Sequence, residues 1–382
     1  MKVSKLVSLL FVVSLVTLIN APTLKIILIS SEVINIIGIS LIVVTGSLKL
    51  FLNEKIVLNK SIIITLISIW CFWIILLAST YWSPVVLDLK NLFKYLSVFI
   101  ISFIILLTSE KKDARLFIVF QLIWSLYIAI LNLSLGIQVD SSLGQHYLTV
   151  GFPIGIGLVI STGLLINYIN NKQSKYKIIF MILFFILFLV SLINLSGRSP
   201  VFMSIAVILL TWLMYIVLNK KKRLRNLLLL IIVTISGYFL IIKAADTVWI
   251  NRFQDLLEST EDEPRWLIYK NTLNLIQQNP IKGYGLDSYS SVASGTYPHN
   301  IFLEVMFYGG FSALIFLVII IINFLINMLR VIKNKDFESI TISMIALYSL
   351  FIWNFSYSLS DTTMVFSSIC FLIGISKQNF IK

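Results

Sequence analysis

The chain has 382 residues, of which 58% are hydrophobic and only 12% are charged, and this balance excludes a soluble globular protein. A formal net charge of +13 would indicate a nucleic-acid partner in a soluble chain, but here the positions of the charges matter more than their sum. Both cysteines, Cys71 and Cys370, lie in apolar runs, which excludes a disulfide framework or a cysteine metal site. The composition therefore predicts an all-α polytopic membrane protein.

Apolar runs predict about twelve transmembrane helices. The first run follows Lys2 and Lys5 and resembles a signal peptide, but no small-residue cleavage site follows it, so we expect an uncleaved helix. The predicted spans cover about 6–19, 33–51, 61–80, 91–108, 116–135, 148–168, 178–195, 201–218, 227–243, 301–329, 339–355 and 362–376.

The basic residues predict the orientation of these spans. With the N-terminus in the cytoplasm and the spans alternating in direction, about two thirds of the 30 Lys and Arg residues fall in cytoplasmic loops, and most of the 17 acidic residues fall outside. Both termini are then cytoplasmic, and the charge requires no nucleic-acid partner. The basic cluster at 220–225 is interpreted as a topology anchor, with docking of a partner or of anionic lipid as the alternative.

One long polar segment interrupts the apolar pattern and predicts a three-part organisation. Residues 1–243 hold transmembrane helices 1–9, residues 244–300 form a large extracytoplasmic loop, and residues 301–382 hold helices 10–12. Within the loop, Pro264 marks the start of a short helix that ends near Asn279-Pro280, because proline suits the first helical turn and the preceding acidic residues suit the positive end of the dipole.

Two arginines on the predicted outer side are candidate functional residues. Arg198 lies in the short turn 196–200, where an arginine is not needed for orientation; it is a functional group or it extends to lipid phosphates. Arg265 follows Pro264, so it either helps to form an anion site at a helix N-terminus or pairs with the acidic residues 261–263. Those acidic residues form a solvated loop tip or supply a base or metal ligand, although no spacing typical of a metal site accompanies them.

Two of the remaining polar motifs, His299 and the glycine-rich turn around Tyr284, each allow two interpretations. His299 precedes the helix predicted from residue 301, where the dipole favours a neutral imidazole able to act as a base; alternatively it caps that helix together with Asn300. The glycines around Tyr284 suit a phosphate-binding turn or simply a tight turn, and no complete phosphate-loop fingerprint is present. His146 is interpreted as an interface residue.

The ordered set of motifs resembles the O-antigen ligase and O-antigen polymerase family. The resemblance covers about residues 196–312, and the twelve-span outline with one large outer loop agrees with it over the whole chain. The motifs that carry it are Arg198, Arg265-Trp266, Asn279-Pro280-Ile281-Lys282-Gly283-Tyr284-Gly285, His299-Asn300, Glu304 and Tyr308-Gly309-Gly310. The segment 144–151 departs from the pattern, since it lacks the arginine that many relatives carry there.

The resemblance implies a membrane glycosyltransferase of the bacterial cytoplasmic (inner) membrane that uses an undecaprenyl-pyrophosphate-linked glycan, with neither a metal nor a nucleotide sugar. Arg198 and Arg265 are expected to hold the pyrophosphate charge, and His299 is expected to take the proton of the attacking hydroxyl, with inversion at the anomeric carbon. Expected substrate-binding residues are Lys270 and Lys282 for phosphate, and Tyr284 and Asn300 for sugar.

Of the two activities in the family, we expect polymerisation of lipid-linked repeat units into surface polysaccharide of the O-antigen or capsule type. The first alternative is a ligase that transfers finished glycan to a lipid-anchored acceptor such as a lipopolysaccharide core. Expected partners are the lipid-linked glycan, membrane lipid, a chain-length regulator and a flippase. A transporter or flippase for the same lipids is a further alternative from another class, as is a structural subunit that only recruits partners.

Overall fold

The computed structural model describes residues 3–24, 31–52, 57–135, 147–195, 199–219, 264–293 and 297–376, with the single residues 227, 231 and 295. The elements in these ranges are α-helices joined by turns and two short 3₁₀ segments, Ser79–Trp82 and Leu359–Asp361. The helices are α1 (Val3–Ile19), α2 (Ala21–Leu24), α3 (Ser31–Leu52), α4 (Lys60–Ala78), α5 (Leu89–Thr108), α6 (Lys111–Leu135), α7 (Tyr147–Asn170), α8 (Lys175–Ile193), α9 (Ser199–Leu218), α10 (Pro264–Gln278), α11 (Tyr289–Val292), α12 (Ile301–Lys333), α13 (Phe337–Ser356) and α14 (Thr363–Ser376).

The helices confirm the all-α polytopic prediction. Among the described residues, nine helices are long and apolar enough to cross a membrane, and α1 and α14 are shorter apolar helices. Each of them coincides with a predicted span. The predicted span at 227–243 lies outside the described residues except for 227 and 231, so the division into 1–243, 244–300 and 301–382 stays a prediction.

Helix α7 forms the centre of the bundle and packs against α6, α8, α9 and α13. It is the most deeply buried of the candidate spans. Its glycines permit the close approach of neighbouring helices, since a Cβ atom on Gly155 would overlap the Tyr348 side chain and one on Gly163 would lie 2.6 Å from Thr341 Oγ1. Small residues at helix contacts are typical of membrane bundles, where van der Waals packing holds helices together.

Polar contacts between loops and helix ends cluster at the two ends of the bundle. At one end, Lys49 Nζ lies 2.5 Å from Asp113 Oδ2, Lys111 pairs with Asp336, and Arg115 pairs with Glu338. At the other end, the segment after α4 and the 3₁₀ segment before α14 contact residues 283–304. Spans that alternate in direction place these two sets of loops at opposite ends of the bundle, as observed. Which end faces the cytoplasm stays a prediction.

Helix α12 is broken near its first third. Gly310 has φ 63° and ψ −164°, a backbone conformation outside the helical region. A helix of 33 residues is about 50 Å long, well beyond the roughly 30 Å of a hydrocarbon core, and the part after Gly310 alone is long enough to cross. The turns before the break are therefore available to build a site at the membrane surface.

Candidate functional site

The turn formed by residues 279–288 packs into the break in α12. The backbone N–H of Tyr284 donates to Phe307 O at 2.7 Å, Gly285 N–H donates to Tyr308 O at 3.0 Å, and Phe311 N–H donates to Pro280 O at 2.8 Å. The break frees carbonyls that an intact helix would use, and the 279–288 turn supplies the missing partners.

The same contacts decide between the two interpretations of the glycine-rich turn. Gly283 N–H donates to Asn279 O at 3.1 Å and Leu286 N–H donates to Ser79 Oγ at 2.9 Å, so four consecutive amides from Gly283 to Leu286 are bound to protein acceptors. A phosphate-binding turn presents free N–H groups to its ligand. The 279–288 turn is therefore a structural element that joins α12 to the segment after α4.

Gly310→Ala tests this junction. The conformation of Gly310 is essentially restricted to glycine, and an added Cβ would overlap Ile281 O, so we expect the free energy of unfolding to fall by about 3 kcal/mol. The apparent midpoint of thermal unfolding, followed by circular dichroism, measures the loss. Gly38→Ala is the matched control, because a Cβ there meets no heavy atom closer than 3.5 Å. Equal midpoints for the two variants would contradict the proposed junction.

The structure describes helix α10 from Pro264, the residue at which the sequence predicts a helix to start. Arg265 is therefore in the first turn, and its side chain is half-buried. Tyr269, one turn further along, donates from its hydroxyl to His299 O at 3.5 Å. The helix thus brings Arg265 towards His299, although 34 positions of sequence separate them. The predicted alternative partners of Arg265, residues 261–263, lie outside the described residues.

His299 is held in an unusual position just before α12. Its φ of 54° is in the left-handed region, where histidine is among the more tolerated side chains, and its ring lies 4.2 Å from the ring of Tyr297. Among the described residues, its Nδ1 is buried and has no hydrogen-bond partner.

Burial, and in addition the positive charge of Arg265, hold the pKa of His299 below its ordinary value. Both effects disfavour the imidazolium form. The direction agrees with the neutral imidazole expected from the sequence, but its causes are burial and Arg265 and not the helix dipole on which the prediction was based. An imidazole that stays neutral at physiological pH is able to accept a proton.

The pKa of His299 gives a prediction that does not depend on activity. The chain has two histidines, so NMR titration of isotope-labelled imidazoles resolves His299 once His146→Gln assigns the other signal. We expect a pKa below 6.5 that rises in Arg265→Gln and stays unchanged in Lys270→Gln, because Arg265 is the one charge in the described part of the chain that shifts the pKa of His299. An unchanged pKa in Arg265→Gln would show that the two groups are not neighbours.

The predicted substrate-binding residues separate into two pairs. Lys270 and Lys282 are exposed, so both ammonium groups are accessible to a phosphate. The Tyr284 hydroxyl donates to Leu275 O at 3.1 Å, and its ring stacks on Phe307 at 4.8 Å, so Tyr284 fastens α10 to α12. Asn300 accepts from the N–H groups of Phe302 and Leu303 and therefore caps α12. This agrees with the alternative interpretation of the His299-Asn300 segment as a helix cap.

Glu304, part of the family motif, lies in the first turn of α12 and has a structural contact that the sequence did not predict. Only 1% of it is exposed, and its Oε2 accepts from Leu359 N–H at 2.9 Å, which ties the first turn of α12 to the segment before α14. Burial raises the pKa of Tyr289, and the charge of Glu304 contributes to the increase. A single acidic residue at the start of an apolar span was the available signal, because such a charge is costly unless it is bound.

Two sequence candidates lie outside the described residues, namely Arg198 and His146. Arg198 directly precedes α9, which packs against α12. The second arm of the predicted arginine clamp therefore stays a prediction, whereas the charge of Arg265 contributes to the lowered pKa of His299. A cation and a neutral base together are suited to stabilise a leaving anion and to deprotonate a hydroxyl.

Comparison with known proteins agrees with this chemistry. Residues 183–318 match the family model described as O-antigen ligase, and every predicted site residue falls within that stretch. The chain is also similar to the ComP-specific O-oligosaccharyltransferase of Acinetobacter baylyi (strain ATCC 33305 / BD413 / ADP1), with 24% identity over 336 residues. That alignment covers 80% of this chain but 59% of the relative, so the chain spans less than two thirds of the relative's length. The motifs, the helical membrane fold and these two matches make the chain similar to the O-antigen ligase and polymerase-like family, with residues 183–318 as the part that the family model matches.

Proposed function

We propose that the protein transfers a glycan from a polyprenyl-pyrophosphate carrier, undecaprenyl pyrophosphate in bacteria, to an acceptor hydroxyl at the outer face of the cytoplasmic membrane. The observation that carries the proposal is the effect of Arg265 on His299, which puts a cation and a neutral base within electrostatic reach of each other at one end of the bundle. The family match and the name of the relative support glycan transfer as the general activity.

In the proposed reaction, the acceptor oxygen attacks the anomeric carbon of the donor sugar. The bond from that carbon to the pyrophosphate oxygen breaks, and the pyrophosphate leaves with the electron pair. The acceptor proton passes to the imidazole of His299. Attack opposite the leaving group inverts the configuration of the anomeric carbon.

The positive groups serve the leaving group. Pyrophosphate is a good leaving group without a general acid, so the reaction needs cations that hold its growing charge. A guanidinium is suited to this because its planar set of donors binds two phosphate oxygens at once. Arg265 supplies one such group, Arg198 is proposed as a second, and the exposed Lys270 and Lys282 extend the positive region.

The acceptor defines two candidate functions. Overall likeness to the family favours polymerisation, in which the acceptor is another lipid-linked repeat unit, but no single residue distinguishes the two activities. Transfer to a different acceptor is favoured by the family description, O-antigen ligase, and by the name of the relative, an O-oligosaccharyltransferase. In both, the glycan joins the cell surface, and a chain-length regulator and a flippase are proposed partners.

The size distribution of lipid-linked and surface glycan separates the two candidates. We expect cells that carry an inactive variant, present in the membrane at the normal level, to retain single repeat units on the carrier if the protein is a polymerase. Long chains that accumulate on the carrier without reaching an acceptor would identify a ligase. A normal distribution in both fractions would contradict the proposed function.

A further inference from the structure

A groove of about 500 Å³ runs between α10 and α11, beside the candidate site. Its volume is within the range of small-molecule sites, about 300–1,000 Å³. We call it the α10–α11 groove. It is lined by Leu267, Ile268, Asn271, Asn274 and Leu275 of α10 and by Tyr289, Val292 and Ala293.

The lining residues select the chemistry of a ligand. All of them are uncharged, so the groove has no group that would favour a pyrophosphate over a neutral molecule. Asn271 and Asn274 are exposed and lie three residues apart, which puts their amides on the same face of α10. Each amide offers two N–H donors and one carbonyl acceptor, which suits a ligand with adjacent hydroxyls.

The opposite wall is largely apolar. Tyr289 and Thr272 share a hydrogen bond of 2.7 Å between their hydroxyls, and the Tyr289 ring packs edge-on against Phe307 at 4.9 Å. Val292 and Ala293 continue this wall. An apolar wall across the groove from two amides matches the two kinds of surface on a sugar ring, which presents C–H groups on its faces and hydroxyls around its edge.

The groove lies on the same helix as Arg265. With a rise of about 1.5 Å per residue, Asn271 is about 9 Å and Asn274 about 13 Å further along α10 than Arg265. An anion-binding group therefore stands near the start of the helix, and a neutral hydrogen-bonding groove follows it. A lipid-linked glycan has the same order of parts, since its pyrophosphate is followed by sugars.

We infer that the α10–α11 groove binds the saccharide part of the glycan substrate, with Asn271 and Asn274 as specificity-determining residues. This inference rests on the proposed function, because it takes the glycan as the substrate. The groove holds sugar units beyond the reacting one, so its residues act on the affinity for glycan and not on the chemical step.

The test uses the full chain in lipid nanodiscs and, as the probe, the repeat-unit oligosaccharide released from the surface glycan of the source cells. Saturation-transfer NMR measures its binding. We expect the double variant Asn271→Ala/Asn274→Ala to raise the Kd about tenfold or more, since it removes two hydrogen-bonding side chains. Ala293→Trp, which fills the groove, is expected to abolish binding.

Gln277→Ala is the matched control, because Gln277 is an exposed amide of the same helix that does not line the groove. Equal thermal midpoints establish that the variants fold. Turnover of lipid-linked glycan should show a higher KM in the double variant with kcat within about twofold. Binding that is equal in the double variant, in Gln277→Ala and in the unaltered protein, or absent from all of them, would overturn the inference.

The two readouts keep this inference separate from the proposed function. If the groove variants lose oligosaccharide binding and the unaltered protein releases no glycan from its carrier, the groove is supported as a glycan site and glycan transfer is contradicted. Groove variants that bind and transfer like the unaltered protein would leave the transferase intact and eliminate the groove as a glycan site.

Discussion

Arg265→Ala is expected to lower the rate of glycan transfer by about 10²- to 10³-fold, the usual cost of removing one preorganised group that stabilises a developing charge. The guanidinium stands in the first turn of α10, half-buried and close enough to His299 to lower the pKa of that imidazole. Its loss leaves the pyrophosphate charge without this partner as the anomeric bond breaks. Turnover of lipid-linked glycan by purified protein in nanodiscs measures the effect.

Two controls separate this effect from a general loss of positive charge. Arg265→Lys keeps the charge but loses the planar pair of donors, so we expect an intermediate rate. Arg115→Ala removes an exposed arginine whose ion pair with Glu338 lies at the opposite end of the bundle, and it should leave the rate unchanged. Activity of Arg265→Ala within about threefold of the unaltered protein would remove Arg265 from the site.

His299→Asn is expected to reduce the rate by about 10²- to 10⁴-fold, the range for loss of a general base. Asparagine is chosen because it tolerates the left-handed backbone of position 299, so the variant changes the chemistry without adding backbone strain. The rate of the unaltered protein should fall on acidification only below about pH 6.5, because protonation of an imidazole with a lowered pKa requires a lower pH. In His299→Asn this dependence should disappear.

The double variant Arg265→Ala/His299→Asn shows whether the two residues act as one unit. Groups that serve the same transition state are strongly non-additive, so we expect the double variant to be little slower than the slower single variant. Multiplication of the two losses would indicate independent roles and would contradict a shared site.

The sequence was sufficient to predict the spans because membrane helices are specified by the length and hydropathy of a segment. It was less accurate at helix ends. Helix α6 begins at Lys111, five residues before the predicted start, because the Asp113 carboxylate accepts from Glu110 N–H at 2.7 Å and binds the buried ammonium of Lys49. A partner 64 residues away leaves no trace in local hydropathy.

The break in α12 was also invisible to hydropathy, since residues 301–329 form one apolar run. It depends on hydrogen bonds from the 279–288 turn, which are tertiary contacts. For the same reason, the sequence did not predict the hydrogen bond of the Tyr284 hydroxyl to α10, and sugar binding by Tyr284 stays a prediction. The motifs predicted Arg265 and His299 as candidate residues. The effect of Arg265 on the pKa of His299 depends on the packing of α10 against the segment before α12, which the sequence did not predict.

If the protein transfers glycan as proposed, it breaks the bond between the glycan and its pyrophosphate carrier, so release of free polyprenyl pyrophosphate is the decisive measurement. Purified protein in nanodiscs is incubated with lipid-linked glycan, and mass spectrometry follows both the carrier and the glycan. We expect the unaltered protein to release carrier in equal amount to the glycan product that it forms, and we expect Arg265→Ala and His299→Asn to form neither. Movement of intact lipid-linked glycan across the bilayer of proteoliposomes, with no carrier released, would contradict glycan transfer and indicate a transporter.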